Sequence, residues 1–190
     1  KKHGIIVSRE VSNSWIFNNK SHHNEGSGIM IERNSRNNVV AFNETYENKG
    51  DGLNFYESSD NISWGNIIRD NGNSGIRIRN SLNITMRNDK ILKNGGFGLE
   101  VYTDPLKSQT DRDHEEDPFE QRSSFDIAGA EFTGNKNGQI KVDNTEYSRF
   151  QDIHLLYGGN GLVDGDLNML AAEIYTAMTT SGKAIEVRPK

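Results

Sequence analysis

Arg77 and Arg79 stand two residues apart in the run Gly75-Ile76-Arg77-Ile78-Arg79. The equivalent pairs in four similar runs are Ile6 and Ser8, Met30 and Glu32, Asn54 and Tyr56, and Glu100 and Tyr102. Arg9, Arg33, Glu57 and Asn80 come directly after four of these pairs. A guanidinium grips a carboxylate with two parallel hydrogen bonds, and tyrosine offers a flat apolar ring with a hydroxyl handle. Gathered on one surface, such side chains make a polar, aromatic floor on which a long anionic chain could lie. Arg33, Asn54, Tyr56, Arg77 and Arg79 are the candidate binding residues. Arginine and tyrosine are also common on the solvated face of a sheet, so spacing alone leaves both readings open.

What would gather them is a phrase repeated five times: Gly4-Ile5-Ile6-Val7, Gly28-Ile29-Met30-Ile31, Gly52-Leu53-Asn54-Phe55, Gly75-Ile76-Arg77-Ile78 and Gly98-Leu99-Glu100-Val101. The glycines lie 24, 24, 23 and 23 residues apart. A fixed period in the twenties marks a solenoid in which each repeat is one structural unit. Two-residue alternation sends Ile5 and Val7, Ile29 and Ile31, Leu53 and Phe55, Ile76 and Ile78, and Leu99 and Val101 inward. Their partners in each run, the candidate floor residues, then point outward.

Asparagine recurs in three further columns: Asn13, Asn37, Asn61 and Asn83; Asn19, Asn43, Asn66 and Asn88; and Asn24, Asn48, Asn71 and Asn94. Asparagine tolerates a left-handed backbone and satisfies turn amides, and stacked asparagines form amide ladders. Three turns and three short strands per coil follow. The expected fold is all-β, a right-handed parallel β-helix, its handedness set by the crossover rule for parallel strands.

The 190 residues fit one domain. Regular coils are expected over 1–102, an inserted acidic loop over 103–122, further coils over 123–165, and a cap over 166–190. Within the cap, Asp166 is placed to begin a short helix over Leu167 to Met178. Asp111-Arg112-Asp113 in the insertion has the composition of an internal ion pair. No calcium-loop order of acids occurs, and no metal or cofactor is expected.

Composition narrows the function. No cysteine is present, which removes disulfide scaffolds and thiolate metal sites. No apolar run reaches membrane-spanning length, so membrane insertion is not expected. The net charge is -5, yet residues 1–103 carry 13 basic and 11 acidic side chains, so the repeats are net +2. Such mild, dispersed charge tells against a nucleic-acid partner.

Several stretches resemble one family closely. These are Lys2-His3-Gly4-Ile5-Ile6-Val7-Ser8-Arg9-Glu10-Val11, Phe17-Asn18-Asn19, Ile31-Glu32-Arg33-Asn34-Ser35, Asp51-Gly52, Tyr56-Glu57-Ser58, Trp64-Gly65-Asn66, Gly75 through Ser81, Asp111-Arg112-Asp113 and Asp117-Pro118-Phe119. They are similar to the periplasmic mannuronan C5-epimerases of alginate-secreting bacteria, over residues 1 to about 156. The resemblance implies a periplasmic isomerase that converts mannuronate to guluronate within the polymer. The implied partners are alginate or polymannuronate and other proteins of the alginate export machinery. It also implies that Arg9, in Ser8-Arg9-Glu10, is the catalytic arginine that neutralises the substrate carboxylate.

The family's catalytic histidine belongs to an Asp-Pro-His-Asp motif, and these 190 residues do not contain it. His3, His22, His23, His114 and His154 do not match that position. The chain is therefore expected to be a C-terminal portion that supplies groove and carboxylate clamp without the base, and to be inactive alone. Two other functions use the same groove: an alginate lyase, and a non-catalytic alginate-binding scaffold of the export machinery.

Overall fold

The computed structural model describes residues 3–104 and 119–156, with the backbone of 163–164 and 174–179. The glycine-led runs form one parallel sheet in strict order. Its strands are β1 (Ile5–Ser8), β4 (Ile29–Glu32), β7 (Leu53–Tyr56), β10 (Ile76–Arg79), β13 (Phe97–Tyr102), β16 (Gly138–Asp143) and β18 (Val163–Asp164). A second face stacks β2 (Trp15–Phe17), β5 (Val39–Ala41), β8 (Ile62–Trp64), β11 (Ile84–Arg87) and β14 (Phe125–Ala128). A third stacks β3 (Lys20–His22), β6 (Glu44–Tyr46), β9 (Ile67–Arg69), β12 (Lys90–Leu92) and β15 (Glu131–Thr133). The long strand β17 (Ser148–Leu156) pairs with both β14 and β15 and so closes the second and third faces together.

Every pairing is one coil to the next in parallel. Ile5 aligns with Ile29, Ile29 with Leu53, Leu53 with Ile76, and Ile76 with Leu99. The inward positions are those the alternation predicts. Ile29, Ile31, Leu53, Phe55, Ile76, Ile78, Leu99 and Val101 are at most 1% exposed, and Ile5 and Val7 pack against them. Met86, Phe125, Ile127 and Phe150 from the second face and Ile68, Ile91, Phe132 and Ile153 from the third complete one core. Each fully buried aliphatic or aromatic chain contributes about 2–3 kcal/mol.

Amide ladders run along all three corners, with the columns partly one residue away from the sequence reading. Asn13, Asn37, Asn83 and Asn88 have φ between 55° and 57° and supply the left-handed turn residue itself. After Asn37 and Asn88 the ladder lies one residue later, at Asn38 and Asp89. Asn38 binds Asn61 at the first corner. Asn19, Asn43 and Asn66 run to Asp89 at the second. Asn24, Asn48, Asn71, Asn94 and Asn135 run unbroken at the third. Each inner rung also donates Nδ2 to a carbonyl of the preceding coil, as Asn66 does to Val40 O at 2.8 Å.

The expected C-terminal helix is corrected where it can be seen. Ile174–Thr179 is β19, parallel to β17, with Phe150 aligned to Ile174. The free edge of β17 offers a ladder of backbone partners, and the β-branched and aromatic run Ile174-Tyr175-Thr176 suits a strand. Asp166 and residues 167–173, the cap and first part of that expected helix, and Asp111-Arg112-Asp113 lie outside the described residues.

Candidate functional site

The outward side chains of the first sheet stand in the columns that the register dictates. One column runs Ile6, Met30, Asn54, Arg77, Glu100, Lys141, and the next runs Ser8, Glu32, Tyr56, Arg79, Tyr102, Asp143. The corner beyond them carries Arg9, Arg33, Glu57 and Asn80, whose φ angles are 63°, 51°, 53° and 49°. The same left-handed conformation recurs at the other corners, as at Phe42, Glu47, Asp70 and Lys93, so it is the turn by which each coil changes face. In the first two coils two successive residues adopt it, Arg9 with Glu10 and Arg33 with Asn34.

The five arginines on or beside the floor divide into two groups. Arg77 sits between carboxylates: its Nη2 lies 3.3 Å from Asp51 Oδ1 and 3.0 Å from Glu100 Oε2, and its Nε donates to Glu100 Oε2 at 3.2 Å. Arg79 pairs with Asp104 and lies over the Tyr56 ring, 4.8 Å from its centre. Arg36 reaches Asp60 at 3.3 Å. Arg9 and Arg33 stand one coil apart in the corner column, about 4.8 Å along the stack. Neither guanidinium has a hydrogen-bond or ion-pair partner among the described residues. Arg9 is exposed and Arg33 half-buried.

Asn54, read from the sequence as a floor residue, is nine-tenths buried and donates Nδ2 to Asp51 Oδ2 at 3.0 Å. Asp51 is the residue that sequence reasoning missed. It lies just before Gly52 and accepts the Ser74 backbone N–H at 3.1 Å. Burial pushes its carboxyl up to about 6, against the pull of Arg77 and the Ser74 N–H. Burial works against the charge of Arg77, but Asp51 and Glu100 outweigh it and hold the guanidinium above its ordinary value. Glu100 accepts further from Ser74 Oγ at 2.9 Å and has Lys141 Nζ at 3.9 Å. Glu100 comes one period after Arg77, so this contact was available from spacing alone.

The described histidines are committed elsewhere. His3 Nδ1 accepts the Ser27 N–H at 2.9 Å, which occupies its lone pair. His22 and His23 hydrogen-bond each other through Nδ1 at 2.8 Å on the third face. There His22 stacks on Tyr46 and His23 pairs with Glu47. His154 belongs to β17, aligned with Glu131 of the third face. His114 lies outside the described residues.

The geometry defines a parallel β-helix with one ionic, aromatic face and an open pair of arginines at its corner. The model of the right-handed beta helix region matches residues 1–109, and the chain belongs to that family. It is similar along its whole length to the mannuronan C5-epimerase AlgG of Azotobacter vinelandii, 49% identical over 192 residues, and to the mannuronan C5-epimerase of Pseudomonas putida, 41% identical. A solved structure described as the periplasmic alginate epimerase AlgG superposes on 94% of the chain with a TM-score of 0.72 and 38% identity. The chain spans little more than a third of each: 36% and 37% of the two relatives and 36% of the solved chain.

Proposed function

We propose that this chain is the portion of a periplasmic mannuronan C5-epimerase that holds the polymer and neutralises the carboxylate of the reacting sugar. The observation that carries the reading is the open pair Arg9 and Arg33, in a chain whose full length resembles proteins named for that activity.

The chemistry makes a cation necessary. The C5 hydrogen of mannuronate lies α to a carboxylate, and removing it as a proton places a second negative charge on that group. A guanidinium held against the carboxylate stabilises the developing charge more than the ground state, which is what accelerates the step. Arg9 takes this role, and Arg33 holds the carboxylate of a neighbouring sugar. The left-handed backbone fixes where each side chain leaves the corner, so both arginines start from the same edge of the floor. Tyr56 and the Arg77 and Arg79 networks form the ground beneath the chain. The base that takes the C5 proton belongs to residues other than these 190, and reprotonation from the opposite face gives guluronate.

Proton NMR of polymannuronate tests the reading, with this chain compared to the same protein extended upstream through an Asp-Pro-His-Asp coil. Guluronate signals from the extended protein alone are expected. Guluronate made by the short chain would overturn the assignment of the base, and ultraviolet-absorbing unsaturated ends would identify a lyase instead. Polymer binding without turnover by the extended protein would point to a scaffold.

A further inference from the structure

Asp51, Arg77 and Glu100 come from three successive coils and form one ionic unit in the floor. Among the described residues Arg77 is the only cation within 4 Å of Asp51, and it is shared with Glu100. The other groups facing Asp51 are the neutral Asn54 amide and the Ser74 N–H. Tyr102 stands in the same field and Lys141 reaches the far oxygen of Glu100. With both acids ionised, the two carboxylates balance Arg77 and Lys141. This unit of the floor then offers a polyanion no net attraction. With Asp51 neutral, one positive charge is left over.

We propose that Asp51 determines the affinity of this floor for a polyuronate chain by cancelling the charge of the Arg77 guanidinium. This rests on the reading of the floor as a polyuronate surface. Asp51 is 3% exposed, so it does not touch the polymer and acts through Arg77. Burial that brings its carboxyl into the range near 6 makes the cancellation depend on pH: the floor gains positive charge as pH falls from 8 to 5.

The test is the affinity of the full chain for polymannuronate at constant low ionic strength, at pH 8 and pH 5, beside Asp51→Asn. Asparagine keeps an acceptor for the Ser74 N–H and carries no charge. The variant is expected to bind about fivefold more tightly than wild type at pH 8, from one unit of charge at a partly screened site, and equally at pH 5. Asp51→Ser serves as a second variant, because Ser27 and Ser74 fill the same buried position in the adjoining coils. A ratio of one at both pH values would overturn the role of Asp51 and leave the floor assignment standing. Failure of wild type and both variants to bind at either pH would overturn the floor itself.

Discussion

Asn66 gives both its backbone N–H and its side-chain Nδ2 to one oxygen of Asp89, at 2.8 and 2.9 Å. The second carboxylate oxygen accepts Ser63 Oγ at 2.8 Å. Asp89 thus ends a ladder that Asn19 and Asn43 began, in a position where asparagine would accept the same two Asn66 donors and donate to Ser63 Oγ instead of accepting from it. It is fully buried with no cation beside it among the described residues, and burial pushes its carboxyl up to about 6. A carboxyl raised above its unfolded value of 3.8 takes up a proton on folding between those two pH values, so its contribution to stability falls as pH rises through that window. Asp89→Asn is therefore expected to stabilise the protein by about 3 kcal/mol at pH 8 and to make little difference at pH 4. Urea midpoints of both proteins at the two pH values check this; an equal gap at both would show that charge is not the cause.

The ladder also shows what the sequence could and could not reveal. Period, inward face and register were legible because every coil repeats the same two-residue alternation after glycine. Asn88 drew attention as the fourth asparagine of its column, yet it supplies the turn with φ 55° while the ladder continues through Asp89. A turn residue and a ladder residue sit side by side, and both positions accept asparagine, so residue type alone does not separate them. The pairing of Arg77 with Asp51 was hidden for another reason. Asp51 falls at the edge of the repeat, in a column whose neighbours are serines, and only the folded corner brings it beneath the guanidinium. The Ile174–Thr179 strand was missed because apolar residues spaced for one helix face also occur in a run with strand-forming side chains.

Arg9 is expected to matter to turnover far more than to binding. In the extended, active protein, Arg9→Ala should lower kcat by about 10²–10³, the usual cost of removing a group that stabilises developing charge. KM should stay within about threefold, because Arg33 and the floor still hold the chain. Steady-state kinetics on polymannuronate of defined length decide the point. A loss confined to KM would assign Arg9 to uniform binding.

Arg77→Ala should instead cost stability. It leaves Asp51 and Glu100 without their shared guanidinium, and stranding a buried charge costs about 3 kcal/mol. The group left most exposed to this cost is Asp51, whose carboxyl is already raised and rises further without Arg77. Below its folded value it is neutral and needs no cation. The loss is therefore largest at pH 8 and smaller at pH 5, as read from urea denaturation. A loss independent of pH would mean that packing of the Arg77 side chain, not its charge, is what counts.

Two glycines distinguish close approach from backbone conformation. At Gly75 an added Cβ would overlap Ile91 Cγ2 and stand 2.7 Å from Gly98 O and 2.8 Å from Asn94 Nδ2, so the third-corner ladder and the first sheet meet there with no room for a methyl. Gly134 is open by comparison, with Lys93 Cγ at 3.4 Å as its nearest neighbour, but its φ is +66°. The preceding residues of that corner, His23, Glu47, Asp70 and Lys93, all adopt the left-handed region with side chains in place. Gly134→Asn should accordingly cost less than about 1 kcal/mol, since asparagine accepts this conformation. Gly75→Ala should cost about 3 kcal/mol or more, because overpacking here displaces a ladder rung as well as core. Equal losses in urea denaturation would show that the coils move apart to admit the methyl, so that their closeness does not fix the glycine at the head of each repeat.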